Sequence, residues 1–123
     1  MRVVLAEDND IVRRGIRKLL NKASDVEVVG EAKDGFEALQ LVNDLSPDIL
    51  LLDVEMPYLN GIEVARQLKK DGNNVHIMVL SAYDDKEYIR QMLINGAAGY
   101  LIKDEPPEQI IESLRRLIPS DRQ

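Results

Sequence analysis

Glu7-Asp8, Asp53, Ser81 and Lys103 each follow a short aliphatic run, and their side chains are of the types that handle phosphate. The clearest case is ILLLDVEMPYLNG, Ile49–Gly61, where four aliphatic residues end on the carboxylate of Asp53 and Met56-Pro57 and Asn60-Gly61 then turn the chain. Such a run reads as a strand buried on both faces, so the acid stands at a strand end, where α/β folds keep their chemistry. Carboxylates gathered there repel one another unless a cation neutralises them. Hard oxygens with room for water suit Mg2+ (or Mn2+). With that charge screened, Asp53 could attack a phosphorus centre and become an aspartyl phosphate. Lys103 would be a point-charge partner for one phosphoryl oxygen and Ser81 a neutral donor to another. Such transfer rests on positioning and charge neutralisation more than on side-chain covalent chemistry.

Each residue also has a plainer reading. Glu7 and Asp8 would favour the dipole of a following helix, Asp53 would be a loop acid or a cap, Ser81 would cap the helix that begins near Asp84, and Lys103 would be a solvated surface lysine. Tyr100 would pack, and His76 would be a tolerated strand residue. Joint placement favours the chemical reading, because capping predicts no pairing of three acids with one lysine.

The elements that must gather these residues are legible as alternating patterns. Val3–Ala6, Val26–Gly30, Ile49–Leu52, Val75–Leu80 and Tyr100–Ile102 read as strands bounded by Gly, Pro, Asp and Asn. Between them, Ile11, Val12, Ile16, Leu19 and Leu20 share one helix face, and Ala38, Leu41, Val42 and Leu45 repeat the pattern. Ile62, Ala65 and Leu68 give a third helix, Ile89, Met92 and Leu93 a fourth, and Ile110, Leu114, Leu117 and Ile118 a fifth. Asp34-Gly35 opens the second helix, Asn95-Gly96 closes the fourth, and Pro106 and Pro107 suit the first turn of the fifth. Strand and helix alternating five times imply right-handed crossovers, a parallel sheet and a three-layer α/β sandwich. The second strand alternates polar with apolar and the fifth is short, which puts both at the edges. The expected order is 2-1-3-4-5, as in flavodoxin-like sheets. All strand carboxyl ends then lie on one edge, where Glu7-Asp8, Asp53, Ser81 and Lys103 can meet.

Composition narrows the function classes. The 123 residues are enough for one domain, and 45% hydrophobic with 31% charged residues matches a folded globular chain. No apolar run approaches a membrane span and no cleavable signal is visible, so the cytoplasm is the expected location. Zero cysteines and one histidine exclude disulfides, thiolate metal sites and a multi-histidine zinc site. A net charge of -6 argues against this domain gripping nucleic acid, which needs a basic face.

The sequence resembles, over nearly its whole length, the receiver domain of bacterial two-component response regulators. The resemblance rests on Ala6-Glu7-Asp8, on Leu52-Asp53-Val54-Glu55-Met56-Pro57 with Asn60-Gly61, on Leu80-Ser81-Ala82 and on Gly99-Tyr100-Leu101-Ile102-Lys103. It implies that Asp53 is the phosphoacceptor, and that Glu7, Asp8, Asp53 and the backbone carbonyl of Glu55 form the Mg2+ pocket. Lys103 is similarly the phosphate partner, and Ser81 and Tyr100 are the hydroxyl and aromatic switch positions. Gly99–Asp104 is closer to the branch carrying a helix-turn-helix output domain (LuxR/NarL/FixJ-type) than to chains with Lys-Pro here. Two departures stand out. The first acid is Glu7 where many relatives have aspartate, which would let it reach the metal through water, and position 104 is Asp, so the cis Lys-Pro bond common in the family is impossible. Glu55 and Tyr83 occupy positions that in relatives influence acyl-phosphate hydrolysis.

The resemblance implies a signalling switch that promotes its own phosphotransfer and dephosphorylation. Residues 1–118 are expected to form the receiver and 119–123 a tail or the start of a linker. Expected partners are a sensor histidine kinase, a second copy of the domain after phosphorylation, and DNA only through a C-terminal domain not in this chain. Two other readings fit less well. An aspartate-nucleophile phosphohydrolase places its nucleophile after the first strand with a second Asp two residues on, and a flavin site needs a Ser/Thr/Gly-rich loop where Glu7-Asp8 would repel phosphate.

Overall fold

The computed structural model describes residues 1–53, 60–81, 86–102, 106 and 108–118. Ten elements alternate: β1 (Arg2–Ala6), α1 (Asp10–Asn21), β2 (Glu27–Ala32), α2 (Gly35–Leu45), β3 (Ile49–Asp53), α3 (Gly61–Lys70), β4 (His76–Ser81), α4 (Lys86–Ile94), β5 (Gly99–Ile102) and α5 (Glu108–Leu117). All neighbouring strands pair in parallel, in the order β2-β1-β3-β4-β5. The flavodoxin-like arrangement and both edge assignments match the sequence expectation.

Period-two alternation splits the strand side chains between two cores. Val4, Ala6, Leu50, Leu52, Ile77 and Val79 pack with Ala38 and Val42 of α2, Val64, Ala65 and Leu68 of α3, and Met92 of α4. Val3, Leu5, Ile49, Leu51, Met78, Leu80 and Leu101 face Leu20 of α1 and Ile110 and Leu114 of α5 on the other side. Each fully buried Leu or Ile of β3 contributes about 1.5–3 kcal/mol of apolar burial, so this strand pins the middle of the sheet. Among the described residues no helix is long and apolar enough to cross a membrane.

Two details differ from the pattern read in the sequence. β2 begins at Glu27 and runs on to Ala32, and its register with β1 slips between Val3 and Val4, so clean alternation ends there. The slip brings Gly30 against α2, where a Cβ would lie 3.1 Å from Leu45 Cδ1. In α1, Ile16, Leu19 and Leu20 do pack inward, but Ile11 is 80% exposed, Val12 is also exposed, and Arg13 is buried instead. The first turn of α1 lies at the carboxyl edge, and among the described residues neither Ile11 nor Val12 joins either apolar core.

Candidate functional site

Strand order reverses between β1 and β3, because the chain leaves β1 for α1 on one side of the sheet and leaves β3 toward α3 on the other. That reversal opens a crevice at the carboxyl edge. Glu7 and Asp8 follow β1 on one side of it, and Asp53 is the last residue of β3 on the other. The flanking helices start cleanly. Asn9 caps α1 by accepting hydrogen bonds from the amides of Ile11 and Val12, and Asn60 caps α3 by accepting one from Glu63. These caps fix where the two connections end and so where the acids stand.

Carboxylate oxygens of Glu7, Asp8 and Asp53 all lie within 4.8 Å of one another. Glu7 and Asp53 are buried, whereas Asp8 is exposed. At that spacing and an effective dielectric of about 20, two charged carboxylates repel by about 3 kcal/mol. The donor set is all hard oxygen. Ligand oxygens around Mg2+ stand about 3 Å apart when adjacent and about 4.2 Å apart when opposite, so the three acids fit such an ion with little movement, and the exposure of Asp8 leaves access for water.

Among the described residues Glu7 is held at three points. Its amide donates to Ala32 O at 3.0 Å, its carboxylate accepts the Asn9 amide at 3.2 Å, and its carbonyl accepts Nη1 of Arg13 at 3.0 Å. The same guanidinium donates to Asp10 Oδ1 at 2.7 Å and to Glu31 Oε1 at 3.2 Å. Burial pushes the Arg13 guanidinium down, but hydrogen bonds to the carboxylates of Asp10 and Glu31 outweigh it and raise its pKa above the usual arginine value. Arg13 in turn holds the Asp10 carboxyl below the ordinary carboxylate range, chiefly through that hydrogen bond. Arg13 is not among the residues expected at the site, although its spacing of i, i+3, i+7 with Ile16 and Leu20 places it on the inward face of α1.

The other expected site residues divide by what is described. Ser81 ends β4 with its backbone paired to Ile102, the residue before Lys103 in the chain, and its side chain lies outside the described atoms. Lys103, Glu55, Tyr83 and Asp104 lie outside the described residues. Tyr100 pairs with Val79 on the side of the sheet that carries α2, α3 and α4, at the free margin of β5, and is 46% exposed. His76 opens β4 away from the acids, with Nδ1 3.4 Å from Asp48 O.

The family model for the response regulator receiver domain matches residues 3–115. The chain belongs to the response-regulator receiver family. This receiver domain is 40% identical over 115 residues to the transcriptional regulatory protein YxjL of Bacillus subtilis, covering 94% of the domain and 53% of YxjL. It therefore spans about half the length of that relative. Among solved structures, the signal receiver domain of the response regulator NarL from Mycobacterium tuberculosis superposes with a TM-score of 0.90 at 36% identity, covering 94% of this chain and 93% of that one. The isolated REC domain of RcsB from Salmonella enterica, solved in the presence of the phosphomimetic BeF3-, matches with a TM-score of 0.88 at 28% identity over 98% of this chain and 89% of that one. Receiver domains bind Mg2+ through an acidic pocket, and this receiver domain carries an acidic cluster of Glu7, Asp8 and Asp53.

Proposed function

We propose that this domain accepts a phosphoryl group on Asp53 from the phosphohistidine of a sensor kinase and thereby switches an output surface. The observation that carries the reading is the convergence of Glu7, Asp8 and Asp53 within 4.8 Å, in a chain of the receiver family. Bound at these three carboxylates and the Glu55 carbonyl, Mg2+ or Mn2+ would neutralise the pocket and polarise phosphoryl oxygens. A carboxylate oxygen of Asp53 forms the new P–O bond while the bond from phosphorus to the donor nitrogen breaks, and the proton that nitrogen requires comes from solvent. Lys103 pairs with one phosphoryl oxygen and Ser81 donates to another.

The switch follows from the same charges. Drawing Ser81 toward the phosphoryl group frees space beside β5, and Tyr100, exposed at that margin, turns into it. The surface of α4, β5 and α5 then changes and favours a second receiver. Control of transcription would run through a DNA-binding domain outside this chain, in keeping with the transcriptional regulators among its relatives and with a net charge of -6 on the receiver itself. The cytoplasm, where a kinase and DNA are both reached, is the compartment this reading requires.

Incubation with acetyl phosphate and Mg2+, read by intact-protein mass spectrometry, tests the assignment. The unmodified domain should gain one phosphoryl mass, releasing acetate, and Asp53→Asn should gain none. Undiminished labelling of the Asn variant would refute it.

A further inference from the structure

Among the described residues three charged side chains are buried: Glu7, Asp53 and Arg13. The first two belong to the acidic cluster. The third stands on the inner face of α1, where an aliphatic residue would suit the helix pattern and burying a charge is costly unless every donor is used. Its donors are used in three directions. Nη1 reaches the carbonyl of Glu7, Nη2 the carboxylate of Asp10 in the first turn of α1, and Nε the carboxylate of Glu31 in β2. Arg17 holds Glu31 from the other side, Nη1 to Oε2 at 2.9 Å. Next to Glu31, Ala32 takes the amide of Glu7. The peptide groups on both sides of Glu7 are thus tied to β2, one directly and one through Arg13.

We infer that Arg13 is a positioning residue for the phosphoryl-transfer centre: its three-way fork fixes the β1–α1 connection so that Glu7 and Asp8 present their carboxylates to Asp53. This rests on the reading that the cluster holds a divalent cation. Two effects of the guanidinium oppose each other. Its positive charge weakens cation binding at the acids, while its hydrogen bonds hold the acids in place for binding. Positioning dominates, because the charge is already committed to Asp10 and Glu31, whereas the Glu7 carbonyl has its hydrogen bond to α1 through Arg13. A lysine keeps the charge and loses the fork, since a single ammonium cannot span three acceptors set in different directions.

The opposition gives a test whose outcomes have different signs. Mg2+ affinity is measured by calorimetry, with Mn2+ binding by electron paramagnetic resonance as a second probe, on the unmodified domain, Arg13→Lys and Arg13→Met. Positioning predicts a dissociation constant raised about tenfold in Arg13→Lys and at least as much in Arg13→Met, in keeping with groups that orient metal ligands. Labelling by acetyl phosphate should recover in Arg13→Lys as Mg2+ is raised. In the metal-free protein, the Asn9 amide, bonded to the Glu7 carboxylate, should exchange faster in Arg13→Lys while the amides of Ile49–Leu52 keep their protection. Unchanged affinity in Arg13→Lys, or tighter binding in Arg13→Met, would overturn the inference. A drop in melting temperature with Mg2+ affinity intact would do the same, since that is what a purely structural role predicts. Should Arg13→Lys fail to fold, Glu31→Gln loosens the fork from its far end and should raise the dissociation constant by a smaller factor, with no rise counting against the inference. Failure of the unmodified domain to bind either ion would strike at the proposed function, and is separate from failure of Arg13.

Discussion

Charged side chains fall into two kinds here. Arg13, Glu7 and Asp53 are buried and set the geometry of a site, whereas Arg115 and Asp25 form an exposed pair that joins α5 to the connection before β2. The Arg115–Asp25 contact is bidentate, with Nε and Nη2 each 3.0 Å from a carboxylate oxygen. Those hydrogen bonds hold the Asp25 carboxyl below its ordinary value of 3.8. A depressed carboxylate stabilises the fold fully above the unfolded value, and that stabilisation is lost as pH falls below it through the folded value. Asp25→Asn should therefore flatten the fall of stability below about pH 4, while lowering the melting temperature at pH 7 by no more than about 5 °C, because exposed pairs contribute little. Chemical denaturation at several pH values checks both halves. An acid limb as steep in the variant as in the parent would mean that this pair does not feel the folded state.

The helices carry their own start signals, and these were legible before any tertiary contact was known. Asp34-Gly35 opens α2, with Asp34 Oδ1 accepting the Glu37 amide at 2.9 Å, and Asn60 does the same for α3. The turn after α4 places Gly96 at φ 99°, a conformation that favours glycine. Asn9 also caps α1, with two amides on one oxygen, and its own amide donates to the Glu7 carboxylate. Asn9→Ala should cost about 1 kcal/mol of stability, seen as a lower urea midpoint with an unchanged slope. A neutral result would place the stability of the α1 start in the Arg13 fork. The inward face of α1 shows where pattern reading falls short. Ile11 and Val12 continue the apolar stripe in sequence, but among the described residues they join neither core.

For the domain taken together, a cluster of acids at the end of a well-packed sheet means that folding and ion binding are linked. Any ion that binds the folded form alone stabilises it by RT ln(1 + [L]/Kd), about 2.7 kcal/mol at a hundred times the dissociation constant. For a chain of 123 residues that is a rise in melting temperature of about 10 °C. Mg2+ should produce this rise in the unmodified domain, NaCl at equal ionic strength should not, and Asp8→Asn should lose most of it. A rise of equal size with NaCl would mean general screening of a net charge of -6 and no site.

Aliphatic runs, helix periods and turn residues specified five strands, five helices and the two edge positions, because backbone geometry and burial act over a few residues and leave their period in the chain. They also placed acids after the first and third strands, which topology alone then brings to one edge. That the carboxylates approach within 4.8 Å, that β2 slips its register against β1, and that Arg13 meets Glu31 of β2 while Ile11 stays exposed were decided by packing. Each depends on what lies across a gap between elements distant in sequence, and no local period records the far side of that gap.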